Sequence, residues 1–184
     1  MRITGGSAKG QILKTIPGMS LRPTTDKVRE AIFSMLLSIA GSWKRGLDLF
    51  AGSGALGIEA LSRDMQWIDF VDQNKKCCQV IEENLKKTGF KDRSHIYCCS
   101  VNKALGFLDS CYDLIFIDPP YADRTLGQLI FEIGAKEIVS ADTLILASHS
   151  SRSPLENQYD TLVKLKEKRY GDTSISIYRK EVTY

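Results

Sequence analysis

Asp118-Pro119-Pro120-Tyr121 puts a carboxylate, two backbone positions without N–H donors and an aromatic ring into four consecutive residues. Proline fixes φ and removes the donor, so carbonyls in this segment are left to accept. An amine conjugated with an aromatic ring is a poor nucleophile. If its two N–H groups donate to the Asp118 carboxylate and the Pro119 carbonyl, its lone pair is aimed at an electrophile. Asp118 would also offset the positive charge that develops on nitrogen. Tyr121 adds a stacking face, worth roughly 1–3 kcal/mol per base in comparable contacts. These parts suit methyl transfer to an exocyclic amine.

A second constellation lies upstream, where Gly52-Ser53-Gly54-Ala55-Leu56-Gly57 matches GxGxxG after the apolar run Leu47–Phe50. Glycines permit a tight turn and let backbone N–H groups approach a ligand. Asp72, twenty residues after Gly52, can bond both hydroxyls of a ribose. This pattern suits a dinucleotide or S-adenosylmethionine. Asp48, ahead of the glycines, favours the second. Its charge would repel a pyrophosphate, which needs an open helix N-terminus, and would attract a sulfonium and an ammonium.

Both motifs require a sheet to carry them. Leu47–Phe50, Trp67–Val71, His95–Cys99, Tyr112–Ile117 and Thr143–Ala147 read as strands. Helices over Ala55–Ser62, Lys75–Lys87 (closed by Gly89), Lys103–Leu108 and Leu126–Glu137 separate them. That alternation predicts a Rossmann-like, doubly wound α/β fold with a mostly parallel sheet. Leu162–Leu165 and Ser174–Tyr178, joined through Tyr170-Gly171-Asp172, predict a closing antiparallel hairpin and seven strands in all. Near the start, Arg2–Thr4 and Gln11–Thr15 read as a small β-hairpin. Val28, Ile32, Met35, Leu36 and Ile39 then repeat at helical spacing, capped by Thr24 or Thr25 and ended by Gly41. The 184 residues are expected to form a single domain, 1–40 being a hairpin-and-helix extension of a 41–184 core.

No segment approaches the eighteen apolar residues of a membrane span, and Met1–Gly6 lacks the apolar run of a signal peptide, so a cytoplasmic protein is expected. The five cysteines show no zinc spacing, so no metal site is expected; Cys98 and Cys99 read as small buried hydrophobes. Charge is uneven. Residues 1–50 hold eight Lys/Arg against three acidic residues, whereas the other 134 hold 17 basic and 19 acidic. A basic first third is either a footprint for a polyanion or a solvated face. Lys164–Arg169 poses the same choice, between a polyanion contact and an edge strand guarded by lysines.

Taken end to end, the chain resembles the RsmD family of bacterial 16S ribosomal RNA guanine-N2 methyltransferases, of the class I S-adenosylmethionine-dependent superfamily. The resemblance is carried by Arg2–Gly6, Leu21–Thr24, Val28–Ala31, Leu47–Gly57, Asp118–Tyr121 and the Tyr170-Gly171 hairpin. It implies cytoplasmic methylation of a guanine N2 amine in small-subunit ribosomal RNA, with an assembly particle the expected partner and naked RNA the alternative, and with Asp118, Pro119 and Tyr121 catalytic. It further implies that Asp48, Phe50, Gly52, Ser53 and Gly54 line the cofactor, that Asp72 holds its ribose with Gln73 beside the adenine, and that Leu21–Thr24 closes over its amino-acid end through Thr24. Arg2, Lys9, Arg22, Lys27 and Arg29 become the expected RNA contacts.

Two positions depart from the family pattern. After the third strand the chain reads Val101-Asn102-Lys103-Ala104, which makes Asn102, or a residue one position from it, the candidate adenine contact. After the fifth, Ser148 stands where the family often carries glutamate. A DNA or other nucleic-acid amino-methyltransferase would share the chemistry, but the sixty-odd residues after Asp118 leave little room for a target-recognition region. A protein glutamine methyltransferase would carry asparagine in place of Asp118. A nicotinamide-dependent oxidoreductase would leave Asp118–Tyr121 idle, and a non-catalytic RNA-binding module would leave both loops idle.

Overall fold

The computed structural model describes residues 1–16, 25–120 and 125–181. The amphipathic run after Thr25 forms α1 (Asp26–Ile39), and the Thr25 side chain caps it by accepting from the Val28 N–H. Ile32, Phe33, Met35 and Leu36 form its buried stripe, each such burial stabilising the fold by about 1.5–3 kcal/mol. Strands and helices then alternate as expected: β1 (Arg45–Leu49), α2 (Ala55–Ser62), β2 (Trp67–Val71), α3 (Lys75–Thr88), β3 (Ser94–Tyr97), α4 (Val101–Ala104), β4 (Tyr112–Ile117), α5 (Leu126–Gly134) and β5 (Val139–Ser150). Gly89 ends α3 in the left-handed conformation, φ 76°. The chain closes with β6 (Gln158–Tyr159), β7 (Leu162–Tyr170) and β8 (Thr173–Lys180).

These strands make one sheet in the order β3-β2-β1-β4-β5-β8-β7-β6. Strands β1 to β5 are parallel, and β8, β7 and β6 are antiparallel to their neighbours. Among the described residues the expected seven strands become eight. The addition, β6, pairs only Gln158 with Val163 and Tyr159 with Leu162, too short a run to show any side-chain alternation. Two apolar layers flank the sheet. One joins α1, α2 and α3 to Phe70, Leu114, Phe116, Ile175 and Ile177. The other packs α4 and α5 on Leu47, Leu49, Ile115, Ile117 and Tyr178.

The N-terminal hairpin is reduced to a single antiparallel bridge, Arg2 with Ile12. It is held to the sheet's helices by side chains rather than by a ladder. Glu59 of α2 accepts from the Thr4 and Gly5 N–H groups at 2.8 Å each. Asn84 of α3 accepts from the Lys14 N–H at 2.8 Å and donates to the Lys14 and Ser53 carbonyls. Among the described residues no helix is long and apolar enough to cross a membrane.

Candidate active site

The sheet order reverses between β1 and β4, which places both motifs side by side. Leu49 pairs with Ile117, so the chain leaves β1 into Phe50–Gly54 beside the point where it leaves β4 into Asp118-Pro119. In open α/β sheets such a switch point is where ligands bind. Phe50 takes a left-handed conformation, φ 60°, unusual for a residue with a side chain, as do Gly52 at 58° and Gly54 at 78°. A Cβ on Gly54 would meet Ile58 and Ile81 at 3.3 Å, a tight contact, and its φ of 78° would strain any other residue. At Gly57 a Cβ would come within 2.3 Å of the Phe70 ring, so the third glycine permits close approach of helix and strand.

Three carboxylates converge on this edge. Asp48 is buried and accepts from the Gly57 N–H at 3.0 Å. Burial, aided by the nearby charges of Asp118 and Asp72, pushes its carboxyl up to about 8 against that hydrogen bond. Asp72, just past β2, accepts from the Gly52 N–H at 2.9 Å and the Asn74 N–H at 2.8 Å. It therefore shapes the glycine loop as well as facing the site. Asp118 is half-buried, Pro119 buried and Pro120 exposed. Gln73 and Asn102 are exposed where β2 and β3 give way to helices, on the same edge, and Ser53 is half-buried in the loop. Thr24, Arg22 and Tyr121 lie outside the described residues.

One expected RNA contact is corrected. Arg29 is wholly buried; it donates to Glu59 at 3.4 Å, to Asp26 at 2.8 Å and to the Arg2 carbonyl. A guanidinium enclosed by two carboxylates and a carbonyl is not available to phosphate. Arg2, Lys9 and Lys27 are exposed. Cys98 is exposed and Cys99 half-buried, against the expectation of burial, because β3 ends at Tyr97 before reaching them. His149 is buried, its ring bonded to the Ser176 hydroxyl at 2.9 Å and to the Ser150 and Ser153 carbonyls at 3.1 Å. Glu59 was missed in the sequence. The signal is there, since it is the one charged residue in ALGIEALS.

A glycine loop after β1, an acidic residue after β2 and Asp-Pro-Pro after β4, on a sheet closed by an antiparallel hairpin, define a Rossmann-like methyltransferase fold. The comparisons agree. The family described as "Conserved hypothetical protein 95" matches residues 1–179. "Putative rRNA methyltransferase YlbH" of Bacillus subtilis is 39% identical over 98% of this chain and 99% of its own length. "Ribosomal RNA small subunit methyltransferase D" of Escherichia coli is 28% identical over 98% and 90%. The solved structure of "Putative methyltransferase yhhF from Escherichia coli" superposes with a TM-score of 0.87 at 28% identity, covering 100% of this chain and 99% of that one. The chain belongs to this family, the RsmD family.

Proposed function

We propose that the protein transfers a methyl group from S-adenosylmethionine to the exocyclic N2 amine of a guanine in small-subunit (16S) ribosomal RNA. The observation that carries this reading is the Leu49–Ile117 register, which sets the glycine loop beside Asp118-Pro119. The relatives named above as ribosomal RNA methyltransferases supply the substrate class.

The residues of the edge fit the cofactor. Asp48, Asp72 and Asp118 form an anionic group in which the buried Asp48 resists ionising, and a cationic ligand relieves that conflict. Asp48, Phe50, Gly52, Ser53 and Gly54 would hold the amino-acid end with Thr24, Asp72 the ribose, and Gln73 and Asn102 the adenine. S-adenosylmethionine supplies, when bound, a methyl group on an electrophilic sulfonium. The chain's own work is on the acceptor. Asp118 and the Pro119 carbonyl accept from the two N–H groups of the amine, which orients its lone pair; Asp118 then offsets charge forming on nitrogen. Tyr121 stacks on the base. Arg2, Lys9, Arg22 and Lys27 contact phosphates.

On this reading residues 1–40 are an RNA-binding extension of a single catalytic domain, and the protein works in the cytoplasm on an assembling small subunit. The test is transfer of labelled methyl to small-subunit ribosomal RNA, followed by nucleoside analysis. N2-methylguanosine is expected. Methylated adenosine would overturn the substrate, and a protein that binds NADH but not S-adenosylhomocysteine would overturn the class.

A further inference from the structure

Part of the basic surplus near the N-terminus is paired with carboxylates of the fold, buried or at the surface. Arg29 sits with Glu59 and Asp26, Arg45 lies 2.8 Å from Asp69, and Lys14 lies 2.6 Å from Glu83. The β7–β8 hairpin differs. From Leu162 to Lys180 it carries six basic residues against Glu167 and Asp172. Glu167 is engaged by Lys164 at 2.6 Å and by the Ser176 hydroxyl at 3.1 Å. Lys166 and Lys168 remain exposed. Lys166 reaches the Ser38 hydroxyl of α1 at 3.4 Å, and the Lys168 ammonium lies 5.5 Å from the Tyr170 ring.

Register shows where these two lysines point. Lys166 pairs with Ile177 and Lys168 with Ile175. Both isoleucines belong to the apolar layer that contains Ile32, Phe33 and Leu36 of α1. Directly opposed residues share a face, so the lysines stand beside α1. Because β7 is antiparallel to β8, and β8 to β5, β7 runs with β4 and ends at the edge that carries Asp118. The strand order places β7 three spacings from β4, about 14 Å. On α1, Lys27 precedes Ser38 by eleven residues, three turns, and so lies on the stripe that faces Lys166. The two acidic residues of α1, Asp26 and Glu30, lie about 120° and 80° round the helix from Ser38, and Asp26 is engaged by Arg29.

We propose that the lane between α1 and β7, bordered by Lys166, Lys168 and Lys27, carries the RNA strand adjoining the target nucleotide through its phosphates. This rests on ribosomal RNA being the substrate. Charge complementarity selects the partner: three ammonium groups in file, leading to the edge where the base is modified, match a single-stranded polyanion.

The test is binding of a small-subunit ribosomal RNA transcript by the full chain over a series of salt concentrations. Lys166→Gln/Lys168→Gln keeps a polar edge strand and removes two charges, and calorimetry with S-adenosylhomocysteine verifies that each variant is folded. Loss of two single-strand phosphate contacts should lower the log–log salt slope by about 1.4, so that affinity changes about sevenfold less between 50 and 200 mM salt. Lys166→Arg/Lys168→Arg should retain the wild-type slope. If the Gln pair fails to bind S-adenosylhomocysteine, Lys166→Thr/Lys168→Thr, with β-prone side chains, gives the same reading. A wild-type slope in the folded neutral variant, with RNA methylation intact, overturns the lane alone and leaves the lysines as edge guards. Wild-type protein that neither methylates nor binds RNA overturns the substrate reading and the lane with it.

Discussion

Glu59 and Asp48 are carboxylates of matching burial, 0% and 1% exposed, on either side of the glycine loop. Glu59 accepts from the Thr4 N–H and hydroxyl, the Gly5 N–H, and the guanidinium groups of Arg29 and Arg63, at 2.7–3.4 Å. Asp48 accepts from the Gly57 N–H and shares its surroundings with Asp72 and Asp118. The chain supplies Glu59 with both donors and positive charge, so that carboxylate ties the N-terminal segment to α2. Among the described residues no positive charge is recorded against Asp48, and under the proposed function the ligand brings it. Burial alone therefore does not separate a structural acid from a binding one. The inventory of its partners does.

The largest expected effect breaks the comparison from the Glu59 side. Glu59→Ala leaves Arg29 buried without its one buried carboxylate partner among the described residues, and breaking a buried pair in this way costs about 3–5 kcal/mol. Chemical denaturation should show that loss. A stability change below about 1 kcal/mol would mean that Glu59 is dispensable to the fold.

Next is the acid on the far side of the site. Asp118→Ala should lower turnover on the order of a hundredfold or more, by analogy with removal of one transition-state partner, while cofactor binding persists. Full activity in this variant would overturn the mechanism. Asp72→Ala removes the proposed ribose acceptor and the anchor of the Gly52 N–H, for a loss of roughly ten- to a hundredfold in S-adenosylhomocysteine affinity. Unchanged affinity by calorimetry would remove Asp72 from the ribose site.

The smallest effect is the most diagnostic of Asp48. Its carboxyl is raised from an ordinary 3.8 to about 8, so between those values the folded protein holds a proton that the unfolded chain has released. This contribution to stability is fully present below about pH 4, declines as pH rises and is gone above about 8. A cationic ligand favours the ionised form, so affinity for S-adenosylmethionine, whose sulfonium carries the charge, should rise with pH up to about 8 and then level. Asp48→Asn should flatten both profiles. An unchanged affinity profile in that variant would show that another group titrates.

Local pattern made much of this fold legible. Ala55–Ser62, Trp67–Val71 and Tyr112–Ile117 appear where the sequence predicts them, because buried runs bounded by glycine, aspartate or proline are a local signal. Strand β5 runs longer than the expected Thr143–Ala147 at both ends: the Thr143 hydroxyl bonds to Ser140 and Tyr112 in its polar lead-in, and Ser148–Ser150 pair with β8. At the site, the chemical groups were legible and their states were not. That Asp72 braces the glycine loop, and that Arg29 is enclosed rather than exposed, depend on partners 20 and 30 residues away.

The chemical groups and the alternation of strands and helices are both written in neighbouring residues. Tertiary structure decided which charges remain available. Arg29 and Lys168 are alike as formal charges, but electrostatic energy falls with distance, and the nearest opposite charge to each is set by packing. The same holds for the site. Leu49 and Ile117 meet only because β1 and β4 pair in register, and that pairing brings the two motifs to one edge of the sheet.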